Sequence, residues 1–149
     1  MLNPSAKSKQ FHSPAVANVF ASFPDEFQAR LMELRALIFE VSTTTQGVGI
    51  LVETLKWNVP AYLTENPKSG TTLRLEVQPD AGTYGLFVPC QTSLIERCRE
   101  LYTHVFRFEK NRGLIFGPNE TLPGPELRHF IAMALTYHLK SAAKQASLN

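Results

Sequence analysis

The sequence has little of what marks several specialised protein classes. It contains two cysteines and one tryptophan among 149 residues, and its 15 Lys and Arg exceed its 13 Asp and Glu by only two. Two cysteines exclude a disulfide-rich scaffold, and the spacing of Cys90 and Cys98 fits neither a zinc pattern nor a redox CxxC pair. A formal charge of +2 gives no support to nucleic-acid binding, which depends on a strongly basic surface.

Long apolar runs are also missing. No stretch approaches the ~18 consecutive apolar residues that a membrane helix requires. The residues before Gln10 include no apolar segment of the kind found in a secretory leader. We therefore expect a cytoplasmic protein without a membrane partner.

The common catalytic motifs are absent as well. The sequence has no GxGxxG, no Gly-Lys-Ser phosphate loop and no Gly-x-Ser-x-Gly elbow. The histidines lack ligand spacing, and the two in the last predicted helix, His129 and His138, fall on nearly opposite sides of it. We predict no metal and no cofactor.

What is present indicates one ordinary domain, because 44% hydrophobic residues can form a core without a metal or disulfide. We predict a mobile tail at 1–12, a single domain at 13–140 and a polar end at 141–149. Helices are expected from Ser13-Pro14, from 25 to about 41, from a Ser-x-x-Glu capping box at Ser93, and from about 125 to 140. The buried stripe of the third is predicted to be Leu94, Cys98 and Leu101.

Between these helices the apolar pattern changes to the alternation typical of strands. Strands are predicted near 52–57, 61–64, 71–77 and 84–88, and a further hairpin at 106–109 and 113–116. The fold class is therefore α/β of the α+β type, with a mainly antiparallel sheet and packed N-terminal, middle and C-terminal helices.

Three stretches carry a resemblance to a known family. They are 53–62, which contains the string Trp57-Asn58-Val59-Pro60-Ala61-Tyr62, then Cys90-Gln91-Thr92, and then 106–112. On these residues the chain resembles the YdhG-like family, whose members carry a domain of unknown function. The resemblance implies an antiparallel α/β sandwich and, from one branch of the family, an intracellular iron chaperone. The sequence has no acidic cluster of the kind that iron(II) favours.

The sharpest candidate site is the Trp-x-x-Pro-x-Tyr string. Trp57 and Tyr62 could form the aromatic wall of a ligand pocket, since each offers a stacking face and one polar group. Arg74, Arg107 and Arg112 could converge there on a carboxylate or phosphate. The favoured alternatives are a strand corner with Trp57 in the core and arginines on an ordinary solvated face.

Cys90 is the second candidate. It precedes the predicted helix start at Ser93 by three residues, where a thiolate would be stabilised by free amides and the helix dipole. No histidine is near it in sequence to act as a base, so an inert thiol is the favoured alternative. Cys98 is expected to be buried.

The sequence thus leads to three hypotheses about function. The first is a module that binds a small ligand, with anions among the candidates, through Trp57, Tyr62, Arg74, Cys90, Arg107 and Arg112. The second is the iron chaperone that the resemblance implies. The third is a thiol-dependent enzyme that uses Cys90.

Overall fold

The structure, a computed structural model, describes residues 10–139. This part contains four α-helices: α1 (Pro14–Ser22), α2 (Asp25–Thr44), α3 (Leu94–Leu101) and α4 (Gly124–Leu135). Its strands are β1 (Ile50–Lys56), β2 (Val59–Glu65), β3 (Leu73–Gln78), β4 (Thr83–Phe87), β5 (Arg107–Glu109) and β6 (Gly113–Phe116). They form one antiparallel sheet in the order β1-β2-β3-β4-β6-β5, which confirms the α+β fold class. Residues 1–9 of the predicted tail at 1–12, and the predicted polar end at 141–149, lie outside the described residues.

The sheet has one closed and one open face. The strand register places Glu53, Tyr62 and Leu73 on the closed face and Thr54, Ala61 and Arg74 on the open face. The main apolar core joins the closed face to buried residues of all four helices. None of the open-face apolar side chains belongs to that core, and they are Ile50, Val52, Val59, Ala61, Leu63, Phe87 and Ile115. The helices therefore cover only one side of the sheet.

The first two helices follow from local sequence. The Ser13 side chain accepts a hydrogen bond from the Val16 amide at 3.3 Å, and Pro14 occupies the first turn of α1. Asp25 and Glu26 open α2, where carboxylates interact favourably with the helix dipole. The predicted apolar stripe of α2, from Phe27 to Val41, is buried.

Helix α3 departs from its prediction in two respects. The Ser93 side chain makes no capping hydrogen bond, so the expected capping box is not formed; instead its amide donates to the Tyr137 hydroxyl at 3.2 Å. Leu101 is 47% exposed, and Ile95 is buried beside Leu94. The eight-residue helix ends at Leu101, where the chain leaves the core.

Helix α4 ends at Leu135, before the predicted end near Lys140. Its last carbonyls are taken by another segment: Thr71 donates its amide to Ala134 at 3.0 Å, and Ser69 donates its hydroxyl to Leu135 at 2.8 Å. Helical backbone resumes at 137–139 after a turn at Thr136. Contacts far apart in sequence therefore set the end of this helix.

A buried ion pair connects α2 to the sheet. Arg35 Nε and Nη2 donate to the two Glu53 carboxylate oxygens at 2.6 and 3.0 Å, with side chains 1% and 8% exposed. Tyr62 donates its hydroxyl to the same carboxylate at 2.6 Å. This bidentate geometry with a third donor is the arrangement that compensates the desolvation of two buried charges.

The same arginine holds the segment before α1. Arg35 Nη2 donates to the Gln10 carbonyl at 3.2 Å, and the guanidinium lies 4.0 Å from the centroid of the Phe11 ring. Phe11 also contacts the Phe20 ring. Packing thus extends to Phe11, within the segment that the sequence assigned to the tail.

We predict that Glu53→Ala lowers the free energy of unfolding by about 3–5 kcal/mol, because the buried guanidinium loses its counter-charge. The matched control is Arg107→Ala, which removes an exposed ion pair with Glu120 and should cost less than about 1 kcal/mol. Urea unfolding of both variants measures the difference. Equal losses would contradict the role of the buried pair.

Candidate functional site

Trp57 lies at the tip of the β1–β2 hairpin. Lys56 pairs with Val59, so the turn consists of Trp57 and Asn58, whose φ angles are 53° and 66°. Two positive φ angles are typical of a type I′ turn, in which Gly or Asn is usual and a bulky aromatic residue is an outlier. The indole is 89% exposed. The favoured expectation that Trp57 belongs to the core is therefore wrong.

An open groove of about 310 Å³ lies beside this tip. Three segments of chain form it: the end of β1 with the turn, the start of β3, and the loop after β4. Its lining residues are Lys56, Trp57, Thr72, Arg74, Pro89, Cys90 and Gln91. The groove thus brings together three of the predicted site residues, Trp57, Arg74 and Cys90.

The groove is electropositive. Lys56 and Arg74 are among its lining residues, and no carboxylate is. The nearest acid partner is Glu76, whose Oε2 lies 3.7 Å from Arg74 Nε, too long for a good hydrogen bond. Lys56 makes no ion pair within residues 10–139. Lys56 is therefore available to an anion, and Arg74 becomes available when its contact with Glu76 is given up.

Cys90 forms part of the groove wall, in the loop between β4 and α3. The loop closes on itself, because the Thr92 amide and hydroxyl both donate to the Pro89 carbonyl, at 3.2 and 2.9 Å. The Cys90 thiol is exposed, and its polar neighbour is Gln91 Oε1 at 4.0 Å. No histidine lines the groove. The arrangement therefore offers an exposed thiol without a histidine in the groove lining.

Tyr62 does not join Trp57 in a pocket, as the sequence had suggested. Its register partner on β1 is Glu53, so its side chain lies on the closed face, where it is completely buried. Burial, followed by the neighbouring Glu53 carboxylate, raises the pKa of the Tyr62 hydroxyl well above its ordinary value. Tyr62 therefore supports the ion pair of the core, on the side of the sheet opposite the groove.

Arg107 and Arg112 also lie outside the groove. Arg107, on the edge strand β5, donates to Glu120. Arg112 pairs with Glu109 and places its guanidinium 5.1 Å from the centroid of the Phe87 ring. That ring lies across Gly113, where a Cβ would be 2.5 Å from it. The two arginines thus pair with carboxylates of their own and are not among the lining residues of the groove.

Sequence reasoning missed four residues of the groove: Lys56, Thr72, Pro89 and Gln91. Lys56 and Gln91 are the sequence neighbours of Trp57 and Cys90, so adjacency along the chain could have identified them. Thr72 and Pro89 approach only because β3 and β4 are neighbours in the sheet. That neighbourhood is a property of the topology.

The described residues include neither a cluster of metal ligands nor a helix suited to crossing a membrane. Residues 10–139 contain no group of three or more His, Cys, Asp or Glu side chains able to hold a metal ion. Within the same range no helix combines the length and apolar character needed to cross a bilayer.

Comparison with known protein families, with curated proteins and with solved structures finds no match for this chain. The resemblance to the YdhG-like family therefore stays a prediction from the sequence motifs.

The two thiols are predicted to react differently. Cys98 is completely buried in α3, and burial raises the pKa of its thiol to about 12, whereas Cys90 is exposed in the groove. Iodoacetamide should modify Cys90 in the native protein and Cys98 only after unfolding. Mass spectrometry of peptides from native and urea-treated samples measures both; equal native rates would contradict this placement.

Proposed function

We propose that the groove beside the hairpin tip binds a small organic anion that stacks on Trp57, without catalysis. The observation that carries the proposal is the combination of an 89% exposed indole with two cations, Lys56 and Arg74, in a groove whose lining includes no carboxylate. Binding sites are typically concave and apolar, with a few polar groups that fix orientation. The indole supplies the apolar surface and the cations supply the orientation.

The position of Trp57 in the turn supports a functional role. A bulky residue at positive φ is conformationally unfavourable, by about 1–3 kcal/mol in the general case. The side chain gains little from burial in return, because it is almost fully exposed. A ligand that stacks on the exposed ring would explain why an aromatic residue occupies this unfavourable position.

Arg74 is the expected anchor for the anionic group. Its guanidinium can donate two parallel hydrogen bonds to a carboxylate or phosphate, a stronger arrangement than the 3.7 Å contact with Glu76. Lys56 adds a second positive charge at the rim. A ligand with a planar ring and one anionic group therefore fits both features of the groove.

The other two hypotheses have less support from the geometry. A thiol-dependent enzyme of the common type would need a histidine base beside Cys90, and the lining residues include no histidine. An iron chaperone would need carboxylate or imidazole ligands close together, and residues 10–139 contain no such group of three. Stacking and charge, which the groove offers through Trp57, Lys56 and Arg74, therefore support anion binding best.

The single tryptophan makes the test direct, because all indole fluorescence comes from Trp57. We expect benzoate or phenyl phosphate to change this fluorescence saturably, and benzylamine to leave it unchanged. Arg74→Gln should weaken binding by about tenfold or more, since a hydrogen bond to a charged group contributes about 1.5–3 kcal/mol. Trp57→Phe, followed by calorimetry, should also weaken binding and leave thermal stability nearly unchanged.

The matched control is Arg107→Gln, which removes an exposed arginine that lies outside the groove. It should bind the same probes with unchanged affinity. A fluorescence signal that responds to none of the anions would refute the proposal. So would equal weakening by Arg74→Gln and Arg107→Gln, because that result would indicate nonspecific attraction by net charge.

A further inference from the structure

Strand β1 forms one edge of the sheet and has β2 as its neighbour. The two strands stay in register without a bulge along the whole of β1, from Ile50 opposite Glu65 to Lys56 opposite Val59. Every residue of β1 is at least partly exposed, so residues 10–139 leave this edge of the sheet open. An open edge of this length can pair with a further strand.

The backbone groups that face outward from β1 follow from the geometry of the hairpin. Lys56 and Val59 flank the two-residue turn, so the Lys56 carbonyl and the Val59 amide face each other. Because hydrogen-bonded pairs alternate along an antiparallel ladder, every second residue before Lys56 directs its amide and carbonyl away from β2. These outward residues are Leu51, Glu53 and Leu55. Within residues 10–139 their backbone groups make no hydrogen bond beyond the hairpin.

The opposite edge of the sheet is protected in ways that β1 is not. Strand β5 has three residues, and two of them are the charged Arg107 and Glu109. Short edge strands and charged edge residues are common devices that prevent a sheet from adding strands. Strand β1 has seven residues and no proline, and the charge in its middle, Glu53, is engaged by Arg35 on the closed face. Strand addition is therefore favoured at β1.

Apolar side chains flank β1 on both faces of the sheet. Ile50, on the open face, is 64% exposed, and Val52 on the same face is half-buried. Leu51 and Leu55, on the closed face, pack against the core and remain partly exposed. A strand added at this edge would remove more of these four side chains from water, which favours association.

Opposite charges lie at the two ends of the first hairpin. Lys56 ends β1 at the tip, and Glu65 lies at the other end, opposite Ile50. The two ends are about 20 Å apart at ~3.3 Å per strand residue, so these side chains cannot meet within one chain. Both are exposed, and neither makes an ion pair in the described part of the chain.

We infer that β1 is an interface at which two copies of this chain pair antiparallel, about a two-fold axis at Glu53. This register overlaps the whole of β1, and a shift in either direction shortens the overlap. Leu51 then lies opposite Leu55 of the second copy, and each outward amide meets an outward carbonyl. The two Glu53 carboxylates do not bring unbalanced charge to the axis, because each is bonded to Arg35 of its own chain.

Charge complementarity identifies the partner as a second copy. In this register Lys56 lies opposite Ile50 of the second copy, in the same row as Glu65 of that copy, and the two-fold axis repeats the contact. The cationic and anionic ends of one hairpin thus match those of the other, an isologous arrangement typical of symmetric dimers. Arg74, the expected anchor of the anion, lies on β3 outside this interface, so the inference does not rest on the proposed function.

Sedimentation velocity over a concentration series up to millimolar measures dimerisation, and charge reversal tests the pairing. Lys56→Glu and Glu65→Lys should each weaken the dimer by about fivefold, because two exposed ion pairs become like-charge contacts. The double variant should recover the affinity of the unmodified protein. Since the two side chains cannot meet within one chain, this recovery can arise only between copies. The matched control is Lys110→Glu, at an exposed turn lysine away from β1, which should leave dimerisation unchanged.

A second comparison uses the apolar side of the interface. Val52→Lys introduces a cation beside Lys56 of the second copy and should weaken dimerisation by about tenfold or more. Ile115→Lys, at a half-buried position of the open face on β6, should have no effect. Thermal unfolding shows which variants are folded, and the charge reversals test the interface if Val52→Lys is not. A protein that stays monomeric at millimolar concentration would overturn the inference. So would a folded Val52→Lys variant that dimerises normally, or a double reversal that recovers nothing.

Discussion

The buried contact of Arg35 with Glu53 and Tyr62 is the interaction on which the arrangement of the molecule depends. It joins α2 to the two strands of the first hairpin and reaches the segment before α1 through Gln10 and Phe11. Two desolvated charges are tolerated only in one geometry, so this contact also fixes register. A slip of β1 by one residue would move Glu53 to the open face and leave the guanidinium among apolar side chains.

Fixing the register of β1 and β2 also determines where the hairpin tip points. Trp57 follows directly after β1, and its turn residues have the positive φ angles of a tight two-residue connection. The tip therefore lies next to the loop that carries Cys90. The closed face supplies stability, and the open face, which the helices leave uncovered, carries the exposed cations and the groove. Stability and the proposed binding thus depend on opposite sides of one sheet.

The fold could be predicted well from sequence because its signals are local. The periodicity of Phe27 to Val41 and the alternation in β3 each arise within a single element, and the structure contains every predicted helix and strand. The predictions were wrong where segments distant in sequence form hydrogen bonds with a helix. Helix α4 ends at Leu135 because Ser69 and Thr71 donate to its last carbonyl groups. The unused capping box at Ser93 has the same kind of cause, since Tyr137 accepts its amide hydrogen bond.

The site could be predicted only in part. The sequence indicated Trp57, Arg74 and Cys90, which share a groove. The Trp-x-x-Pro-x-Tyr string, however, does not show on which side of the sheet each aromatic ring lies. Trp57 falls in a turn and Tyr62 at a register position opposite Glu53, and this difference of pairing separates them. The arginines show the same limit, because Arg107 and Arg112 had carboxylates nearby that only the folded chain identifies as partners.

Collisional quenching of Trp57 fluorescence tests whether the indole is exposed in an electropositive groove. Iodide and caesium are quenchers of opposite charge, and they can be compared at equal ionic strength on the native protein. Because Lys56 and Arg74 concentrate anions beside the indole, iodide should quench more efficiently than caesium. Inefficient quenching by both ions would show a buried indole, and a preference for caesium would show an acidic surrounding; either result would contradict this account.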